Sequence, residues 1–209
     1  MISAVLFDVD GTLIDTTEYI YQAFEHSLDL HNYDLLPRSE MKKMIGQTLE
    51  DCYHEFAQIV DVEQLMDTHH EYQIENPHLA IVYPNSLGTL EKLREKGILI
   101  AVVTSRARET AIETLEHLDL LPHIDYVVGL EDVKNAKPDP EGINKALNFL
   151  GVHPADSMMV GDSDVDVAAG KNAGTMTVGV MYGFHGDDII SSEPDHVIDD
   201  IIEVVDLLE

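Results

Sequence analysis

Hydrophobic positions along this chain follow two periodicities. Short unbroken apolar runs occupy residues 4–7, 98–103, 126–128, 158–160 and 176–180. Runs of strand length bounded by Gly, Asp or Ser read as strands buried on both faces, as in a parallel sheet. Residues 196–198 predict an edge strand. Between the runs, apolar residues recur every three or four positions, the spacing of one helix face. Leu87, Leu90 and Leu93 mark a helix over 86–96, with Gly97 suited to its end. Ala111, Ile112, Leu115 and Leu118 mark a second over 108–118. Ile143, Ala146, Leu147 and Leu150 follow Pro140 in a first turn, with Asp139 as N-cap. Residues 164–173 predict a short helix rich in Ala and Gly, and 199–209 a final one. Strand–helix alternation predicts an α/β fold, a doubly wound Rossmann-like parallel sheet with right-handed crossovers.

One stretch breaks the alternation. Residues 16–82 carry helical patterns only. Tyr19, Ile20, Ala23, Phe24 and Leu28 form one amphipathic stripe. Helices are expected over 39–45, over 48–60 with Thr48 as cap, and over 62–74. The division is a core of residues 1–15 and 83–209 with an all-helical insert, 16–82, joined through short linkers near 15–17 and 81–84.

Charge narrows the partners. The 12 Lys and Arg against 40 Asp and Glu leave a net charge of −28. Affinity for nucleic acid and for anionic membrane surfaces rests on basic residues, so neither partner is expected. The 44% hydrophobic content is spread through the chain and argues against disorder. Cys52 is the only cysteine, which excludes an intramolecular disulfide and a CxxC site, and reads as a small buried apolar residue. No basic residue precedes an apolar run at the N-terminus, and the apolar runs are strand-sized. The expectation is a cytoplasmic protein without a signal peptide or membrane span.

In open parallel sheets, ligands bind at the carboxyl ends of strands. Those ends here collect Asp8 and Asp10, Thr104 and Ser105, then Asp162 and Asp166, with Lys137 in a loop after the third strand. Clustered carboxylates repel and call for a cation or shared protons. Mg²⁺ takes oxygen ligands and tolerates few carboxylates beside water and phosphate oxygens. An ammonium and a hydroxyl suit the remaining phosphate oxygens. One aspartate can be a nucleophile, and a second two residues on can move the proton. The reaction class is metal-assisted phosphoryl transfer.

The segment Asp8-Val9-Asp10-Gly11-Thr12-Leu13-Ile14-Asp15 resembles the first motif of the haloacid dehalogenase superfamily. Val103-Thr104-Ser105 resembles the second, Lys137-Pro138 the third, and Gly161-Asp162-Ser163-Asp164-Val165-Asp166 the fourth. The resemblance implies Asp8 as nucleophile and metal ligand. It implies Asp10 as general acid/base with its backbone carbonyl on the metal, and Asp162 as a direct Mg²⁺ ligand. Asp166 would be a ligand or an orienting partner of Lys137. Thr104 and Lys137 would hold phosphoryl oxygens, helped by the backbones of Val9 and Ser105. The insert would be a cap closing over the site, with the Gly46-Gln47 loop facing substrate. Arg106 sits in a helix-start region where a cation is not electrostatically favoured, which suggests a substrate contact.

The acid/base aspartate sets the chain apart from halide-removing members. The phosphonate-cleaving branch needs a cap lysine, and only Lys42 and Lys43 are available, neither marked as desolvated. Stretches such as Ala136-Lys137-Pro138-Asp139-Pro140-Glu141 look most like phosphoglycolate phosphatases and the related bacterial pyrophosphatases. The leading expectation is a Mg²⁺-dependent phosphatase for a small phosphorylated metabolite, working through an aspartyl phosphate as monomer or homodimer. A sugar phosphomutase and an inactive regulatory protein of the same fold are the alternatives. The 11 histidines show no metal-binding spacing, and His69-His70 read as ordinary core or surface residues.

Overall fold

The computed structural model describes residues 1–208. Eight strands and eight α-helices follow in chain order: β1 Ala4–Phe7, β2 Ile14–Asp15, α1 Thr17–Leu30, α2 Arg38–Met41, α3 Leu49–Ala57, α4 Glu63–Glu75, β3 Ile81–Val82 and α5 Ser86–Glu95. Then come β4 Leu99–Val103, α6 Arg108–His117, β5 Tyr126–Val128, α7 Glu141–Leu150, β6 Ser157–Gly161, α8 Asp164–Ala173, β7 Met176–Val180 and β8 His196–Ile198.

Six strands form one parallel sheet in the order β5-β4-β1-β6-β7-β8. This is the expected doubly wound α/β architecture. Alternation along β1 shows why its four residues are all apolar. Val5 and Phe7 enter the core on one face, with Leu90, Leu93, Leu115, Ile201 and Val204. Ala4 and Leu6 enter the core on the other, with Ile143, Ala146, Leu147 and Ala169. The order reverses beside β1, which has β4 on one flank and β6 on the other. Such a reversal opens a crevice at the carboxyl edge.

Helices α1 to α4 gather around a third cluster that includes Phe24, Leu28, Met41, Cys52, Tyr53 and Leu65. Thr48 caps α3 by accepting from Asp51 N. Cys52 is buried, and burial pushes its thiol up to about 12.

Four expectations need correction. The stretch 16–82 is not purely helical, because β3 pairs antiparallel with β2, Ile14 with Val82 and Asp15 with Ile81. The β-branched residues at both linkers meet side by side and suit a strand pair. The tail is a 3₁₀ segment, Ile201–Leu208, and Glu209 falls outside the described residues. Its β-branched run weakens α-helical preference. Leu87 is 37% exposed and is not part of the core face of α5. Pro140 takes the cap position of α7, while Asp139 Oδ1 accepts from Glu141 N at 2.9 Å.

Candidate active site

The site begins where β1 ends. Asp8 N still donates to Val160 O at 2.9 Å, so Asp8 leaves the sheet at its carboxyl edge. The chain then curls, with Val9 O accepting from Leu13 N at 3.0 Å and Ile14 N at 3.1 Å. Gly11 makes the curl possible. Its φ is +80°, and a Cβ there would collide with the Asp162 carboxylate and the Phe184 ring. The curl presents Asp10, whose Oδ1 accepts from Thr16 Oγ1 at 2.8 Å and Arg106 Nη1 at 3.3 Å.

Lys137 reaches in from the loop before α7 and is 4% exposed. Its ammonium donates to Asp8 Oδ1 at 3.0 Å, Asp166 Oδ1 at 2.6 Å and Val103 O at 3.3 Å. An ammonium has three donors, and all three are used. Burial works against the charge, but Asp166 and Asp8 outweigh it and raise the pKa.

The other carboxylates come from the end of β6 and the start of α8. Asp166 Oδ2 accepts from Ser163 N at 3.2 Å and from Ser163 Oγ, closing a capping box at the helix start. Its two oxygens are thus divided between Lys137 and Ser163. Asp162 Oδ2 accepts from Phe184 N at 2.7 Å. Gly161 allows this packing, because a Cβ there would overlap the Asp166 side chain.

The buried carboxylates call for a cation or for shared protons. Oxygens of Asp8, Asp162 and Asp166 all lie within 4.8 Å of one another. Burial pushes Asp8 up to about 7, with Asp166 and Asp10 adding to the shift and Lys137 opposing it. Burial, then Asp166 and Asp8, hold Asp162 well above the usual carboxylate range. Counted with Asp10, four carboxylates face two cations, Lys137 and Arg106, leaving two negative charges unmatched when all are ionised. A divalent cation would balance that remainder, and the donor set is all oxygen, as hard cations prefer.

A cavity of about 130 Å³ opens beside Asp8 and Asp10. Thr104, Ser105, Arg106, Gly46 and Gln47 also line it. Thr104 Oγ1 accepts from Arg106 N at 3.2 Å. The loop between α2 and α3 is fastened over the strand ends by two bonds. Ser105 Oγ donates to Gly46 O at 2.9 Å, and His185 Nε2 donates to Ile45 O at 2.9 Å. Val9, by contrast, is buried in the core, and its side chain is not on the cavity wall. Lys42 and Lys43 are not on that wall either.

Two groups of residues escaped the sequence reading. The loop after β7 supplies Phe184 N to Asp162, His185 to the loop at 45, and Tyr182 Oη to Thr12 O at 2.8 Å. Its position at a strand end was the available signal. His69 and His70 also line the cavity. Their signal was spacing along α4, where Met66, His69, His70 and Gln73 fall on one helical face.

The description haloacid dehalogenase-like hydrolase matches the chain over residues 5–180. A protein named Pyrophosphatase PpaX from Halalkalibacterium halodurans is 34% identical over 209 residues, 99% of this chain and 97% of its own. Pyrophosphatase PpaX of Bacillus velezensis is 35% identical over 208 residues, 98% of this chain and 95% of its own. The crystal structure of a haloacid dehalogenase-like hydrolase from Bacteroides fragilis superposes with a TM-score of 0.87 at 30% identity, covering 98% of this chain and 100% of that one. The family match runs from the central strand that carries Asp8 to the end of β7, and these relatives align over nearly their whole length. This chain therefore belongs to the haloacid dehalogenase-like hydrolase family.

Proposed function

We propose that the protein is a Mg²⁺-dependent phosphatase that passes the phosphoryl group of a small phosphorylated metabolite through Asp8. One observation carries this reading. The buried Asp8 carboxylate is gripped by Lys137 through Oδ1 alone, while Oδ2 accepts from none of the described residues at the cavity wall. A carboxylate fixed at one oxygen and open at the other is placed to attack phosphorus.

In the first step Asp8 Oδ2 bonds to phosphorus, and the bond from phosphorus to the leaving oxygen breaks. Asp10 gives that oxygen its proton. In the second step Asp10 takes a proton from water, the water oxygen attacks phosphorus, and the acyl phosphate bond to Asp8 breaks to release phosphate. Lys137, Thr104 and the backbone of Val9 and Ser105 hold the phosphoryl oxygens. Asp8, Asp162 and the Asp10 carbonyl would hold Mg²⁺, with Asp166 either a further ligand or the partner that orients Lys137, and the ion would supply charge neutralisation for the transferring group. Residues 16–82 act as a cap that keeps bulk water out, with Gly46 and Gln47 at its substrate-facing edge. The relatives named pyrophosphatase make pyrophosphate a leading substrate, and phosphoglycolate is the other. A cytoplasmic setting accords with the described helices, none of which is long and apolar enough to cross a membrane.

The test is release of inorganic phosphate from p-nitrophenyl phosphate, pyrophosphate and phosphoglycolate, with and without MgCl₂. Release that needs Mg²⁺ and disappears in Asp8→Asn is expected. No release from any of the three, or undiminished release in Asp8→Asn, would overturn the reading. Conversion of an added sugar phosphate to its positional isomer, without free phosphate, would assign the chain to the mutases.

A further inference from the structure

The cavity has a second polar wall that phosphoryl transfer to Asp8 leaves unused. Arg106 comes from the loop before α6, with its side chain 14% exposed. Its Nη2 donates to Thr114 Oγ1 at 3.0 Å, and to Tyr19 Oη and Thr110 O at 3.4 Å each. Nη1 reaches Asp10, and Nε has no acceptor among the described residues. The guanidinium also lies over the Tyr19 ring, 5.4 Å from its centroid. It is therefore held rigidly at the cavity wall with donor capacity to spare.

Helix α4 faces it across the cavity. Met66, His69, His70 and Gln73 line the space at positions i, i+3, i+4 and i+7. His69 is 2% exposed and packs edge-on against Phe24. Its Nδ1 lies 3.0 Å from Tyr53 Oη, and its Nε2 has no partner among the described residues. With the phenol donating to Nδ1, the neutral ring carries its proton on Nε2, toward the cavity. Burial, then His70 and Arg106, hold His69 well below the ordinary imidazole range, so the ring is neutral, with one nitrogen that donates and one that accepts. Arg106, paired with Asp10 through Nη1, keeps further donor capacity at a cavity that His69, His70 and Gln73 also line.

We propose that Arg106, His69, His70 and Gln73 form a second anion subsite, which receives an oxyanion carried by the leaving group of the substrate. This rests on the function proposed above and narrows its substrate class. Arg106 touches Asp10, and Asp10 follows Asp8 by two residues, so the two anionic groups must be close together. The occupant is a compact phosphate monoester or anhydride with a second phosphoryl or carboxylate group. A sugar phosphate offers these donors only neutral hydroxyl oxygens and lacks the second charge. Tyr53 is a positioning residue that fixes the His69 tautomer.

The test is calorimetric binding to the Asp8→Asn protein in MgCl₂, which needs no turnover. The ligands are methyl phosphate, phosphoglycolate and pyrophosphate. The last two should bind at least about tenfold more tightly than methyl phosphate, the worth of hydrogen bonds to a charged group. Their ratio separates a carboxylate from a phosphoryl occupant. His69→Phe keeps the packing on Phe24, and Arg106→Met keeps the stem. In either background the advantage should shrink to about threefold or less, and in His69→Phe methyl phosphate affinity should stay near its original value. Tyr53→Phe should move the advantage in the same direction. Equal affinity for all three ligands in the parent protein would overturn the subsite, and so would an advantage that survives His69→Phe and Arg106→Met. Selective binding without phosphate release by the wild type would instead defeat the proposed hydrolysis and leave the subsite standing.

Discussion

Lys137 Nζ lies 2.6 Å from Asp166 Oδ1, and this pair is the hinge of the site's electrostatics. Asp166 is fully buried, fixed by Ser163 on its other oxygen, and aims the ammonium at Asp8. Replacing Lys137 with Met should lower kcat by about 10²–10³-fold, the usual loss when a charge-stabilising donor is removed. It should also cost about 3–5 kcal/mol of stability near pH 8, because buried carboxylates lose their counter-ion. The stability cost should be smaller near pH 5, below the value of about 7 at which Asp8 gives up its proton. Chemical denaturation at both pH values checks this, and an equal loss at both would contradict it.

Metal and protons should compete for the same carboxylates. Asp8 is raised from 3.8 to about 7, and Asp162 is raised too. A carboxyl whose folded pKa exceeds its unfolded one binds its proton more tightly when folded. The metal-free protein should therefore lose stability as pH climbs from about 4 to about 7. Mg²⁺ removes the repulsion that causes this loss. The rise in Tm on adding MgCl₂ should be larger near pH 8 than near pH 5. A rise independent of pH would show that the cation binds elsewhere.

Gly161 offers a steric test of the Asp166 position. A Cβ at 161 would overlap the Asp166 side chain, whereas one at Gly88 meets nothing within 4 Å. Gly161→Ala should cost about 1–3 kcal/mol and lower kcat with it. Gly88→Ala, inside α5, should leave activity intact and raise stability by up to about 1 kcal/mol. Similar kinetics for the two variants would refute the tight placement.

The loop at 45–47 is held down by Ser105 and His185. Ser105→Ala should weaken that hold by about 0.5–1.5 kcal/mol, as for a typical hydrogen bond, and raise KM several-fold with little change in Tm. Adding His185→Phe should raise KM further. An unchanged KM in the double variant would mean that the fastening has no bearing on substrate.

The sheet and the acidic cluster were legible because each lies within a few residues of its own signal. Asp8, Thr104 and Asp162 each follow an apolar run that could only be a buried strand. The contact of Phe184 with Asp162 was not legible, because it joins residues 22 positions apart through a loop without regular pattern. The sequence places His69 as an ordinary core or surface residue. It is buried, yet one nitrogen faces inward to Tyr53 while the ring borders the cavity, a distinction that helical spacing alone does not make. The β2–β3 pair was missed for a related reason. Two residues on each side have no period, and only their meeting across the insert makes them strands.

The central placement of β1 also sets when the site can come into being. Ala4 pairs with Leu99 on one flank and with Ser157 on the other, so both neighbours of the strand arrive late in synthesis. Closing such long loops is slow compared with forming local helices. Asp8 leaves the ribosome well before Lys137 and Asp166, and it gains its partners only after both have followed. During refolding, helical signal should therefore return before catalytic competence, and recovered turnover times the completion of the whole sheet.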